Sequence, residues 1–316
     1  MASPRLIVVA DPIDGPSMDR LRAGPCRVVD ASAEPKSLGG PLGEAWGLIV
    51  RSRTKVTAEL IGNAPSLELV ARAGVGVDNI DLAATRARGI RVVNAPAAAT
   101  ASVAELTVTL YLLLVRRLYP SLASTRAGKW ERGTQGHELA GKTVGFVGYG
   151  RIAREVARRL VPFGARALAF DPYVSTSGDA TEMLPLDALL GRADIVSVHA
   201  ALTPENHHLI DARALAQMRV GSYLVNVARG ALVDEVALLA ALESGHLAGA
   251  ALDVFETEPP TRPELLAHPH LLATPHVGAS TEEAQRRAGS ETVDEVLRAL
   301  RGEPLQALVA PAGGVR

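Results

Sequence analysis

The stretch Thr143-Val-Gly-Phe-Val-Gly-Tyr-Gly-Arg-Ile-Ala153 reads as a strand, a tight turn and a helix, an arrangement that few folds accommodate. Thr143 to Val147 is apolar and β-branched enough for a buried parallel strand. Gly148-Tyr149-Gly150-Arg151-Ile152-Ala153 then fits G-x-G-x-x-G/A. In that pattern Gly148 permits the sharp turn, Gly150 lets a pyrophosphate lie against the backbone, and a small Ala153 lets helix and strand pack closely. The helix from Arg151 to about Val161 aims its N-terminal amides and positive dipole end at the phosphates. A second strand, Ala167 to Phe170, ends at Asp171, eighteen residues after Ala153. An acidic residue there can hold the ribose hydroxyls. No Arg or Lys follows between Asp171 and Gly178, so nothing evident meets a 2′-phosphate. The expected cofactor is NAD rather than NADP.

The rest of the chain alternates short apolar strands with helical segments, which predicts parallel sheets flanked by helices. In the first part the strands are Leu6–Ala10, Arg27–Val29, Gly47–Val50, Leu67–Ala71 and Arg91–Val93, with a loop around Gly39-Gly40-Pro41. Ser102-Val-Ala-Glu105 forms a capping box ahead of an apolar helix to about Leu118, and Gly128 to Gly141 reads as an arm carrying an exposed Trp130. After the glycine turn, strands are expected at Asp194–Val198, Ser222–Asn226, Gly249–Leu252 and Leu271–Ala273. Helices are expected at Asp211–Gln217, Asp234–Ser244 and Thr281–Arg301. The expected fold is α/β, two doubly wound parallel-sheet domains, with a Rossmann dinucleotide domain (99–281) inserted in a flavodoxin-like domain (1–98 and 282–316).

With 47% apolar residues in 316, two cores can be built. A net charge of −1 gives no electrostatic footprint for nucleic acid. The longest apolar run, Leu106 to Val115, is too short to span a bilayer, and Met1 to Arg5 lacks a signal-peptide layout. The lone Cys26 excludes an internal disulfide and reads as packing. A soluble, cytoplasmic protein without nucleic-acid or membrane partners is expected, and no metal site.

Ligand-facing loops of open parallel sheets follow the C-terminal ends of strands. Two such loops can hold an anion: Arg51 with Ser52 after one strand, and Gly74-Val75-Gly76 after another, whose amides can approach a carboxylate closely. Arg229, Glu258 and His276 lie just beyond later strands. Hydride reduction of a 2-oxo acid requires a cation for the carboxylate, an acid for the forming alkoxide, and a carboxylate to keep that acid protonated. Arg229, His276 and Glu258 match these needs in turn. Each alone has a purely structural explanation; together, beside a dinucleotide site, they mark chemistry.

Nearly the whole chain resembles the D-isomer-specific 2-hydroxyacid dehydrogenase family. The matching pieces are Leu48-Ile-Val-Arg-Ser52, Arg72-Ala-Gly-Val-Gly-Val-Asp-Asn-Ile-Asp81, Gly128-Lys-Trp-Glu-Arg132, Gly148 to Ala153, Asn226-Val-Ala-Arg-Gly230, Ala251-Leu-Asp-Val-Phe255 and Pro275-His-Val-Gly-Ala-Ser-Thr281. The resemblance implies Arg229 for substrate carboxylate and carbonyl, His276 as acid/base and Glu258 as its partner. It implies carboxylate binding by the amides of Val75 and Gly76, and NAD contacts at Arg151, Ile152, Asp171, His199, Ala200, Val227, Ala228, Asp253 and Gly278. It is strongest to members that convert 3-phosphoglycerate to 3-phosphohydroxypyruvate, on the way to serine. A hydroxypyruvate or glyoxylate reductase is the alternative enzyme, and a non-catalytic NAD sensor the alternative class. The family pairs its subunits near Val103–Leu118, so a homodimer is expected. Departures are Ala153 for the usual third glycine, Ala201 for a proline, and an Asn94–Thr100 segment without the usual Asn and Gly. Ending at Arg316, the chain is expected to lack a serine-sensing domain.

Overall fold

The computed structural model describes residues 4–33, 39–133 and 135–309. The chain divides into two compact units, Met1–Ala99 with Ser280–Arg316, and Thr100–Ala279.

The first unit is built on β1 (Arg5–Val9), β2 (Cys26–Asp30), β3 (Ala45–Val50), β4 (Leu69–Arg72) and β5 (Arg91–Val93). All pair in parallel in the order β2-β1-β3-β4-β5, the flavodoxin-like order with its switch point between β1 and β3. Every residue of β3 is buried, as expected of a central strand covered on both faces. Alternate residues feed opposite cores. Leu6, Val8, Leu48 and Val50 face one, while Ile7, Val9 and Ile49 face the other. The second core is closed by Val293, Val296 and Ala299 of helix Glu282–Arg301, which Thr281 caps through the Ala284 amide. Cys26 packs against this core. The Gly39-Gly40-Pro41 stretch is not the expected loop but a helical turn, Gly39–Leu42.

The second unit is a sheet of β6 (Thr143–Val147), β7 (Arg166–Phe170), β8 (Glu182–Met183), β9 (Ile195–Val198), β10 (Ser222–Asn226), β11 (Leu247–Leu252) and β12 (Leu271–Ala273). Its parallel order is β12-β11-β10-β9-β6-β7-β8, which places the topological switch between β6 and β9. One core joins β9, β10 and β11 to Leu189, Leu215, Leu238 and Leu242 of the covering helices. The apolar helix begins at Thr100, two residues before the expected cap, so Ser102 sits buried inside its first turn. It stops at Val115, because Arg117 takes a left-handed backbone (φ 49°) and starts a separate helix, Leu118–Arg126. Among the described residues no helix is long and apolar enough to cross a membrane.

Candidate active site

The turn after β6 is shaped by its neighbours. Gly148 has φ 90°, and a side chain there would place its Cβ 2.6 Å from the Ala200 amide nitrogen and 2.9 Å from the His199 carbonyl carbon. Glycine therefore lets the exit of β9 close directly onto the turn. At Gly150, by contrast, a Cβ would meet nothing within 4 Å. The space over Gly150 opens at the start of helix Arg151–Leu160, whose first turn includes Ile152 and the buried Ala153. This is a cradle that a pyrophosphate fits. Asp171 stands at the end of β7 with its carboxylate against the same turn, accepting from the amides of Tyr149 at 2.8 Å and Tyr173 at 2.9 Å. Each oxygen retains a lone pair for a ribose hydroxyl.

His199, just beyond β9, bonds Ser197 Oγ through Nε2 at 2.8 Å. Burial pushes its imidazole down to about 3, so it stays neutral. Val227 and Ala228 follow β10, where Asn226 shapes the loop. Its side chain accepts from the Ala228 amide at 3.0 Å and donates to the Arg229 carbonyl at 2.9 Å. The Arg229 guanidinium donates to the Ala228 carbonyl.

His276 follows β12 with a left-handed backbone, φ 52°, strain of the kind that clusters at functional sites. Asp253, almost fully buried after β11, imposes it. The Asp253 carbonyl accepts from the His276 amide, and its carboxylate accepts from the amides of Val277 (2.8 Å) and Gly278 (2.9 Å) and from Thr274 Oγ1 (2.6 Å). The Asp253 carboxylate, expected to touch the cofactor, is thus engaged in building the histidine turn. His276 Nδ1 lies 2.9 Å from Glu258 Oε2 and 3.1 Å from Oε1. An imidazole held this way at Nδ1 presents Nε2 for proton exchange. Glu258 is steadied by the Phe255 amide at 3.3 Å.

In the first unit, Arg51 and Ser52 lie on a loop clamped from both sides. Asp11, at the end of β1 and fully buried, accepts from the Arg51 amide (2.6 Å), the Thr54 amide (3.1 Å) and Thr54 Oγ1 (2.7 Å). Burial alone would raise the Asp11 carboxyl, but hydrogen bonds from Thr54, Arg51 and Arg53 outweigh it and hold it below its usual value. Asn79 donates to the Arg51 and Thr54 carbonyls, both at 2.7 Å. Arg53 is spent on structure: its guanidinium binds Asp11 and the carbonyls of Ala10 and Ser32. The Gly74–Gly76 loop is fixed by Asn94 on the Val75 carbonyl (2.6 Å) and by the Ala95 amide on the Gly74 carbonyl (3.0 Å). Asp11, Asn79, Asn94 and Asn226 touch no expected ligand and were not legible as site residues. Only their places beside strand ends hint at them. No group of His, Cys, Asp and Glu able to hold a metal occurs among the described residues.

Residues 108–278 match the family model described as D-isomer specific 2-hydroxyacid dehydrogenase, NAD binding domain. The D-3-phosphoglycerate dehydrogenase of Mycobacterium tuberculosis is 46% identical over 307 residues, 96% of this chain and 55% of that protein. The chain therefore spans about half the length of the curated relatives it matches. A protein of Thermus thermophilus superposes with TM-score 0.88 at 37% identity, covering 96% of this chain and all of that one. A glyoxylate reductase of Paecilomyes thermophila does so with TM-score 0.89 at 30% identity, covering 98% and 99%. With a family model matched over residues 108–278 and a solved relative 37% identical that covers 96% of this chain and all of its own length, the chain belongs to the D-isomer-specific 2-hydroxyacid dehydrogenase family.

Proposed function

We propose that this chain is an NAD-dependent dehydrogenase of D-2-hydroxy acids, and that its substrate pair is 3-phosphoglycerate and 3-phosphohydroxypyruvate. The observation that carries the reaction class is the His276–Glu258 pair, 2.9 Å apart beyond the ends of β12 and β11. Bound NAD supplies a hydride acceptor. Gly148, Gly150, Arg151 and Ile152 hold its pyrophosphate and Asp171 its ribose, while His199, Ala200, Val227, Ala228, Asp253 and Gly278 line its remaining length. In oxidation, His276 Nε2 takes the proton of the substrate hydroxyl, and the Glu258 carboxylate stabilises the imidazolium through Nδ1. In reduction the same nitrogen returns the proton. Arg229 fixes the carboxylate and polarises the carbonyl. In the first unit, the proposal assigns the amides of Val75 and Gly76 to carboxylate binding and Arg51 with Ser52 to phosphate binding.

Support for the phosphorylated substrate comes from the 46% identity to a D-3-phosphoglycerate dehydrogenase. A reductase of glyoxylate or hydroxypyruvate is the second reading, favoured by the engagement of Arg53 with Asp11, which leaves Arg51 without a second free guanidinium on its loop for a phosphate. NADH oxidation with 3-phosphohydroxypyruvate, hydroxypyruvate and glyoxylate decides between them. Turnover only of the unphosphorylated acids would overturn the substrate assignment and leave the reaction class. No turnover with any would overturn both.

The same proposal includes a homodimer formed near the expected region Val103–Leu118, through the following helix Leu118–Arg126 and the arm. Leu122 is 56% exposed, Tyr119 50% and Trp130 80%, apolar surface that a partner subunit would cover. A monomer by light scattering at micromolar concentration would refute this. A cytoplasmic setting is proposed on the single cysteine, which needs no oxidising compartment.

A further inference from the structure

Two loops of the second unit carry the groups assigned to substrate. Val227 to Asp234, after β10, carries Arg229; Asp253 to Glu258, after β11, carries the partner of His276. Their backbones touch. A Cβ on Gly230 would lie 1.8 Å from the Phe255 carbonyl carbon, 2.0 Å from its oxygen and 2.3 Å from the Glu256 nitrogen. Just beyond this contact stand two carboxylates that bind each other's backbone. The Glu235 amide donates to Glu256 Oε1 at 3.0 Å, and the Glu256 amide donates to Glu235 Oε1 at 2.7 Å. Glu235 is buried, and burial raises its carboxyl; the hydrogen bond from the Glu256 amide lowers it, and the Glu256 charge raises it again. A pair of close carboxylates in such a place costs stability unless cations offset it. Arg262 supplies one, with Nε 3.5 Å from Glu235 Oε2. The His208 ring stands against the other carboxylate, with Nε2 3.2 Å from Glu256 Oε1 and out of line for a hydrogen bond.

His208 also joins a third loop to the pair. It lies beyond β9 with a left-handed backbone, φ 53°, and its amide donates to the Ala231 carbonyl at 2.8 Å. Two residues on, the Ile210 amide bonds Leu232 and the Asp234 amide bonds Ile210, a short parallel bridge. One residue thus grips the Arg229 loop through its backbone and the Glu258 loop through its side chain. Helix Glu235–Glu243 is already capped by Asp234 on the amides of Val236 and Ala237, so the carboxylate pair is not what starts the helix.

We propose that Glu235, Glu256 and His208 are positioning residues that fix the Arg229 loop against the Glu258 loop, and so set the spacing between the substrate-binding cation and the acid/base pair. None of them touches reacting atoms. The inference rests on the roles proposed above for Arg229, Glu258 and His276.

The test is steady-state kinetics with NADH and the three 2-oxo acids named above, together with NADH dissociation constants from fluorescence titration and thermal melts. Glu256→Leu removes the acceptor of the Glu235 amide. A displacement near 1 Å can cost about a hundredfold, so kcat/KM for the oxo acid should fall by about that factor. The NADH Kd should rise by less than about tenfold: Val227, Ala228 and Asp253 of these loops are assigned to NAD, but the glycine turn that holds the pyrophosphate follows β6. Glu256→Gln keeps an acceptor oxygen and should recover at least a third of the wild-type value. His208→Gly keeps the amide that binds Ala231 and suits the left-handed backbone, so it should stay folded and melt at most about 4 °C below wild type. It should still lose about tenfold in kcat/KM, a combination that a merely structural residue does not give. Wild-type kcat/KM in a folded His208→Gly, or parallel losses of NADH affinity and kcat/KM in Glu256→Leu, would overturn the proposal. If Glu256→Leu does not fold, His208→Gly decides alone. A wild-type enzyme inactive on all three acids overturns the functional reading and this inference with it. An active wild type with unaffected variants overturns only the inference.

Discussion

Gly230→Ala tests the contact between the Arg229 and Glu258 loops most directly. The added carbon would start 1.8 Å from the Phe255 carbonyl carbon, where ordinary contact begins at 3.4 Å, so the loops must part by about 1.6 Å (3.4 − 1.8). The obstructing atoms are backbone and cannot turn aside as a side chain would. Overpacking of this kind costs about 1–3 kcal/mol, and this site belongs at the upper end, about 3. For a unit the size of 100–279, each kcal/mol lowers Tm by about 2–4 °C, so a fall of about 6–12 °C is expected. Parting the loops also separates Arg229 from the Glu258–His276 pair, and a misplacement above 1 Å should lower kcat/KM about a hundredfold or more. The NADH Kd should rise by less than kcat/KM falls, since Gly148 and Gly150 sit on another loop while Val227, Ala228 and Asp253 of the parted loops are also assigned to NAD. Differential scanning calorimetry, fluorescence titration and initial rates on one preparation give the three readings. A variant that melts within about 2 °C of wild type and keeps its kcat/KM within twofold would refute the reasoning, because the steric conflict would then not exist.

Three further outcomes are expected. NADH should be preferred to NADPH by at least about a hundredfold in kcat/KM, because the Asp171 carboxylate repels a 2′-phosphate at a close, partly enclosed site; equal efficiencies would sink the role given to Asp171. His276→Ala should lower kcat by about 10²–10⁴ with little change in KM, since its proton transfer matters in the transition state, whereas Arg229→Ala should damage both; full activity of His276→Ala would exclude the proposed acid/base. Stability should carry a pH signature of His199. Burial lowers the folded-state value from 6.5 to about 3, so below pH 6.5 only the unfolded chain takes up this proton, and stability is lost as pH falls from 6.5 toward 3. A fully enclosed ring would lose about 2 kcal/mol at pH 5. His199 keeps some accessible surface, which reduces the expectation to about 1 kcal/mol. Urea unfolding without nucleotide at pH 8 and 5 should show wild type losing that much more than His199→Gln, and equal losses would contradict it.

The sheets were legible because their signal is local. Thr143–Val147, Ser222–Asn226, Leu271–Ala273 and Arg91–Val93 are apolar runs bounded by turn residues, and they are the strands observed. The misses have equally local causes. Glu182–Met183 is an edge strand of two residues with no alternation to read. Ser102 and Glu105 have capping-box spacing, yet the helix extends back to Thr100, because the buried Val103 and Ala104 need the turn before them packed. The break at Arg117 rests on a left-handed residue that is neither Gly nor Asn, so nothing in its identity announces it.

The residues that place the site divide along a different line. Arg229, Glu258 and His276 could be found because the chemistry demands their side-chain types and because strand ends are where such groups gather. What holds them is spread through the chain. Asp11 reaches the amide of Arg51 across 40 positions, Asp253 builds the turn of His276 from 24 positions before Val277, and Glu235 and Glu256 meet across 21. In every case a carboxylate binds backbone amides, and any acidic residue near a strand end has the composition to do so. Arg53 shows the same ambiguity from the cationic side. It has the same charge and lies two residues from Arg51, but its guanidinium closes onto Asp11, Ala10 and Ser32. Residue type identifies the groups that meet a ligand, whose chemistry is fixed in advance; the groups that meet the backbone are identified only by geometry. The clamp of Glu235, Glu256 and His208 belongs wholly to the second kind, and for that reason its effect should appear in the spacing of Arg229 from His276 more than in the affinity for NADH.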